Sequence, residues 1–198
     1  MRDPEASDSF TLAQLDQVFQ VADQTRITIQ SIDGWKNDPL FLGRLTRTLA
    51  YTGMHISVLS GSFRAKTVRR VRRVEWVGPI RSDAIREGFL FWRRPKNEKP
   101  IPLPIKRDIA PWLGEFLDQE KPRSTRRYEQ ILEDLEQLVG FPTNPLRFRH
   151  TCGVLLYHVL KMDAATVQKL MGFTPETMLT YVVRTKEQIA EEMVEKGW

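Results

Sequence analysis

The sequence predicts a mainly α-helical domain with one small antiparallel β-sheet, an α+β arrangement in which the sheet sits between two helical blocks. Three observations predict it. Apolar residues recur at helical spacing early in the chain, as at Leu12, Leu15, Val18 and Phe19 and again at Leu40, Leu42, Leu45 and Leu49. The same helical grammar returns after residue 110, with stop signals at Gly140 and Gly172. Between the two blocks, Phe89 to Arg93 is rich in strand formers and is followed by the turn-like "PKNE" and the extended "KPIPLPI".

The elements follow in order. "SFTLAQLDQVFQVADQT" has Thr11 as its capping residue and a helical apolar stripe. "DPLFLGRLTRTLAYTG" is a second helix that stops at Gly53, and a short helix begins near His55 and ends near Gly61. Pro100, Pro102 and Pro104 cannot donate to a sheet ladder from a central strand, so the hairpin of residues 89–104 lies at a sheet edge. Helices resume around Pro111 to Leu117 and from Ser124 to Val139. Pro142 and Pro145 bracket a loop, and a long apolar helix covers about 147–160. "DAATVQKLMG" is capped by Asp163 and ended by Gly172, and "TPETMLTYVV" opens another helix with Thr174 as cap and Pro175 in its first turn.

Composition narrows the function. With 198 residues, 41% of them hydrophobic, the chain can bury a sizeable core, which excludes wholesale disorder. Thirty Lys and Arg stand against 25 Asp and Glu, a net charge of +5 with a pI near 9.5, and this favours an anionic partner. The bases cluster in "RAKTVRRVRR" (64–73), at Arg93 and Arg94, and in "KPRSTRR" (121–127), which points to nucleic acid. Cys152 is the only cysteine and sits among apolar residues, so no disulfide framework and no thiolate metal cluster is expected. His55, His150 and His158 lack zinc-site spacing, and no metal or other cofactor is expected. No apolar run approaches transmembrane length and the N-terminus lacks a signal-peptide core, so an intracellular protein without a membrane partner is expected, cytoplasmic or nucleoid-associated.

Six segments, in order, carry a resemblance. "SFTLAQLDQVF", "YTGMHISVL", "RRPKNEKPIPLP", "LRFRHT", "VQKLMGF" and "TMLTYV" resemble the motifs of the catalytic domain of the tyrosine recombinases, the phage-integrase family. There the second to fifth segments read TG-x-R-x-x-E-L, a lysine-bearing hairpin, H-x-L-R-H-T and VQ-x-L-L-G-H, and the sixth holds the nucleophilic tyrosine. The resemblance covers about residues 9–185. It implies the DNA breaking–rejoining fold, double-stranded DNA as partner, and transesterification through a 3′-phosphotyrosyl intermediate without ATP or metal. The expected organisation is a flexible N-terminus over 1–8, a recombinase-like catalytic domain over 9–185 and a C-terminal helix over 186–198. That helix is amphipathic, and the resemblance suggests self-association on DNA through it. The family's DNA-clamping domain has no counterpart ahead of residue 9, so a fragment, a split protein or a minimal form is expected.

Carried over residue by residue, Tyr181 takes the place of the nucleophile and Arg149 that of a phosphate-binding arginine, whose planar fork suits phosphate oxygens. Lys96, with Lys99 as a substitute, takes the place of the lysine that protonates the leaving oxygen. Other positions depart from the pattern. His55 stands where an arginine belongs, Val58 where a glutamate belongs, Leu146 where a histidine belongs, and Phe173 where a histidine or tryptophan belongs. The expected catalytic set is therefore Tyr181, Arg149, Lys96 and His55. The expected DNA contacts are Arg64, Lys66, Arg69, Arg70, Arg93, Arg94, Lys99, Arg147 and His150. Three readings compete: a divergent recombinase, a recombinase-like DNA-binding protein with weak or lost cleavage, and a helix-turn-helix protein built on "DAATVQKLMGFTPETMLTYVV".

Overall fold

The computed structural model describes residues 9–25, 40–68, 71–92, 101–118 and 124–179. The chain starts with helix α1, Leu12–Gln24, whose capping box is reciprocal: the Gln14 amide donates to Thr11 Oγ1 and the Thr11 amide to Gln14 Oε1, each at 3.1 Å. Helix α2, Phe41–Thr52, follows, then the short α3, Ile56–Ser60. Strands β1, Ser62–Val68, and β2, Val71–Val77, form an antiparallel hairpin. A 3₁₀ turn at Ser82–Ala84 leads to β3, Ile85–Arg86, β4, Phe89–Trp92, and β5, Ile101–Pro104. The second block holds α4, Ala110–Leu117, α5, Thr125–Val139, α6, Pro145–Val154, and α7, Ala164–Met171, with further helical residues at 175–179.

The sheet expectation needs one correction. The described residues form two separate antiparallel sheets, β1–β2 and β3–β4–β5, where one was expected. The basic run of residues 64–73 hides a strand alternation, Phe63, Ala65 and Thr67 against Arg64 and Lys66, and that period of two prevails over its charge. In the other sheet the prolines sit where their chemistry demands: β5 is an edge strand paired only with β4, with Phe91 opposite Pro102 and Phe89 opposite Pro104.

The main core is made by α1, α2, α4, α5, α6 and β4, around Leu45, Leu49, Leu90, Leu113, Leu135 and Phe148, all fully buried. Each buried leucine of this kind contributes about 1.5–3 kcal/mol of transfer free energy. A second, smaller cluster joins Leu103, Cys152, Leu156, Val167, Met171 and Met178, and so ties β5 and the C-terminal helices to α6. The last helical segment before residue 160 also differs from expectation. Asn144 caps α6 from Pro145, accepting from the Arg147 amide at 2.9 Å, and beyond Val154 the helix widens into a π-helical turn, Leu155–Val159.

Helix α2 ends where Gly53 adopts a left-handed backbone, φ +58°. A Cβ there would come within 2.3 Å of Met171 Cε and 3.0 Å of Cys152 Cβ, so the position lacks both a permissive backbone and room. Gly53→Ala is expected to lower stability by at least about 2 kcal/mol, combining left-handed strain with overpacking. A urea denaturation curve checks this.

Candidate functional site

The site is built around Arg149. It stands on the inner side of α6, 7% exposed, between Phe148 and His150. A guanidinium at that depth must be hydrogen-bonded to be tolerated. Its Nη1 donates to the Gly53 carbonyl at 2.6 Å and its Nη2 donates to the Met171 carbonyl. Both acceptors are at helix ends, where carbonyls lack partners within the helix and carry partial negative charge. Two aromatic rings flank the cation, with centroids 6.0 Å away for Trp92 and 5.6 Å for Phe173. One side chain thus joins the end of α2, the end of β4 and the end of α7.

The neighbours are fixed in turn. Gly153 leaves the slot that Phe173 fills, since a Cβ there would lie 2.7 Å from Phe173 Cε2. His150 is buried, with its ring edge-on to Phe173 at 6.1 Å. Burial pushes the Cys152 thiol up to about 12, against an opposing pull from the Arg149 cation, so the thiol stays protonated at neutral pH and is no nucleophile. His55 lies two residues beyond Gly53, in extended backbone ahead of α3, and is exposed. The segment that supplies a carbonyl to Arg149 therefore also carries His55.

The expected residues divide as follows. Gly53, Arg149 and Phe173 meet at one place, joined by Trp92, whose role the sequence did not signal except through the alternation that turns Leu90 and Trp92 inward. Lys96, Lys99, Arg93, Arg94, Arg69, Arg70 and Tyr181 lie outside the described residues, as do the termini 1–8 and 186–198. Trp92, beside Arg149, pairs with Ile101 across β4 and β5. Met178 is buried in the same cluster as Met171 and Cys152. Leu146 is 57% exposed, so an apolar side chain faces solvent where the motif has a histidine.

Arg147 and His150, expected among the DNA contacts, are both buried. Arg147 Nη1 donates to the Pro142 carbonyl at 2.9 Å, and Nη2 donates to Gln14 Oε1 at 3.0 Å and the Ser9 carbonyl at 3.4 Å. Its guanidinium lies 4.6 Å from the Phe10 ring centroid, and burial lowers its pKa from the ordinary arginine value, against an opposing pull from Glu136. It staples the start of α1 to α6, beside the Phe10 amide bonded to Thr151 Oγ1 at 2.8 Å. Adjacent arginine positions in "LRFRHT" look alike in sequence, and only the packing separates them. Arg64 and Lys66 fall on β1, away from α6 in the chain.

Among the described residues, no group of three or more His, Cys, Asp and Glu stands in a metal-binding arrangement, and no helix is long and apolar enough to cross a membrane. Arg147→Met is expected to cost about 2–3 kcal/mol through its lost charged hydrogen bonds, while the folded variant keeps wild-type affinity for duplex DNA. Thermal melts paired with a binding titration check both parts.

Comparison with solved structures gives a likeness of fold. No protein-family model matches the chain, and no curated protein matches it in sequence. Among solved structures, the crystal structure of XerA recombinase, a tyrosine recombinase, aligns over 100% of this chain with a TM-score of 0.59 at 15% identity. The chain spans 66% of that protein, short of two thirds of its length. At this identity the likeness establishes the fold, and the fold is the one the order of motifs led us to expect.

Proposed function

We propose that this chain is a DNA-processing domain of the tyrosine-recombinase type, in which the Arg149 pocket receives a DNA phosphate and Tyr181 attacks it. One observation carries the reading. The guanidinium of Arg149 is held at the junction of the Gly53, Trp92 and Phe173 segments; Gly53 and Phe173 lie in segments whose motifs resemble the catalytic motifs of that family, and Trp92 immediately precedes a third. The geometry suits the chemistry. A guanidinium already desolvated and flanked by rings is preorganised, so it loses little entropy when phosphate oxygens bind.

The reaction follows from the residue types. Tyr181 Oη forms a bond to phosphorus as its proton passes to water, because a phenol with an unperturbed pKa of about 10 is a weak nucleophile until ionised. The bond from phosphorus to the 5′ oxygen breaks, and Lys96 gives that oxygen a proton. The non-bridging oxygens keep their charge against Arg149. The 3′-phosphotyrosyl bond keeps the energy needed for rejoining, so the reverse attack by a 5′ hydroxyl restores the DNA. His55, on the Gly53 segment, adds positive charge when protonated. Self-association on DNA through residues 186–198 belongs to the same reading.

A second reading has its own support. Leu146 faces solvent at a histidine position, and Phe173 sets a ring where the family has a hydrogen-bonding side chain. One lost charge-stabilising donor typically costs about 10²–10³ in rate, so several losses favour a domain that holds DNA and cleaves it slowly or not at all. The helix-turn-helix reading, by contrast, leaves the Arg149 junction unexplained.

The test is a nicked duplex, drawn from DNA that flanks the coding region, incubated with the protein and then denatured. The expected result is a covalent protein–DNA band that disappears with Tyr181→Phe and weakens at least tenfold with Lys96→Ala. Salt-dependent binding with no band at any pH would establish the second reading instead.

A further inference from the structure

The β3–β4–β5 sheet has two faces of different character. Directly paired residues of an antiparallel sheet share a face, and the faces alternate along each strand. On the inward face Ile85 pairs with Leu90 and Leu90 with Leu103, and both leucines and Trp92 are buried. The outward face begins with a row across all three strands, Arg86 paired with Phe89 and Phe89 with Pro104. A second row, about 7 Å further along β4, pairs Phe91 with Pro102. Burial follows the alternation. Phe89 is 41% exposed, Arg86 and Pro102 are exposed, and Phe91 and Pro104 are half-buried. Two phenylalanine rings therefore stand on the outer side of a sheet whose inner side is anchored. Among the described residues, neither ring belongs to either core cluster.

The chemistry of this face selects its occupant. It shows two rings, two prolines and one guanidinium, with Glu87 as the acid at the β3–β4 turn. Among the described residues only the Nε of Arg86 is committed, donating to the Asp83 carbonyl at 3.2 Å. Its outer nitrogens are left to meet an anion such as a phosphate oxygen. The sequence places Arg93 and Arg94 directly after β4. Rings beside arginine match a nucleotide, whose base offers a π-face and whose phosphate is anionic. A protein partner fits less well. A stable interface takes about 20–30 residues a side, and this face presents only Arg86, Phe89, Phe91, Pro102 and Pro104. In a duplex the base faces are already stacked on one another, so the occupant is an unpaired strand.

We infer that the outward face of β3–β4–β5 binds unpaired DNA, with Phe89 and Phe91 stacking on bases and Arg86 on an adjoining phosphate. The inference rests on the DNA reading above and adds a form of substrate to it. Breaking a strand frees an end whose bases can unpair. The sheet that sets Trp92 against Arg149 on one side holds such an end on the other.

The experiment measures the affinity of the full chain for a labelled oligothymidine strand and for an abasic strand of equal length and charge. The wild type is expected to prefer the strand with bases at least about fivefold. The Phe89→Leu, Phe91→Leu double variant keeps an apolar surface, loses the rings and removes that preference. The Phe89→Tyr, Phe91→Tyr double variant keeps the rings and retains it. Arg86→Ala flattens the slope of log affinity against log salt by about 0.7, one phosphate contact to a single strand. Duplex affinity is the same for the wild type and the leucine variant. Equal wild-type affinity for the two strands, or a leucine variant that keeps the preference, would overturn the inference. So would a wild-type dimer in sedimentation that the leucine variant disperses, with no preference for bases, which would assign the face to a second copy of the chain. The duplex measurement keeps the two readings apart. A wild type that binds duplex and shows no base preference rejects the stacking face alone. One that binds neither duplex nor single strand rejects the DNA reading with it.

Discussion

The guanidinium of Arg149 donates to the carbonyls of Gly53 and Met171 between the rings of Trp92 and Phe173, and the arrangement of the C-terminal half depends on that contact. Without it, two helix-end carbonyls would lose a charged donor in a dry interior, where each unmet acceptor costs about 1–3 kcal/mol. The contact has a directional consequence as well. Both bonded helices present their C-terminal ends to the same cation, which fixes where the Gly53 to His55 segment and the chain beyond Met171 can go. The glycines serve this joint: Gly53 lets α2 end against Met171, and Gly153 makes room for Phe173.

Arginines two residues apart on α6 divide the labour. Arg147 binds the Ser9 and Pro142 carbonyls and the Gln14 side chain, closing α1 onto α6. Arg149 faces the other helices and the β4 end. Successive positions on a helix are about 100° apart, so residues two apart point in widely different directions and meet different neighbours. The first arginine is accounted for by the fold alone. The second stands where the Gly53 and Phe173 motif segments meet the end of β4, and that convergence supports a task beyond holding the fold.

Much of the architecture was legible in the sequence, because caps and stops are local. Thr11, Ser124, Asp163 and Gly140 mark helix ends through hydrogen bonds or backbone geometry that span only a few residues. The edge hairpin was legible for the same reason, since proline removes a donor wherever it stands. The β1–β2 hairpin was not, because its charge masked an alternation readable mainly in β1. The joint itself was half legible. The motif pointed to Arg149, but Trp92 and the Met171 carbonyl reach it from distant parts of the chain, and no local rule connects them. Arg147 shows how packing adds what a motif does not: its bonds to the Pro142 and Ser9 carbonyls and Gln14 come from contacts across the chain.

One guanidinium, on this reading, both joins the fold and receives the phosphate. The most direct measurement is Arg149→Met, with urea denaturation and duplex binding measured on the same preparation. Loss of about 2–4 kcal/mol of stability, together with at least tenfold weaker DNA binding by the folded fraction, is the predicted result. A variant that loses the stability yet binds DNA as tightly as the wild type would contradict it, and would leave Arg149 as a structural joint only.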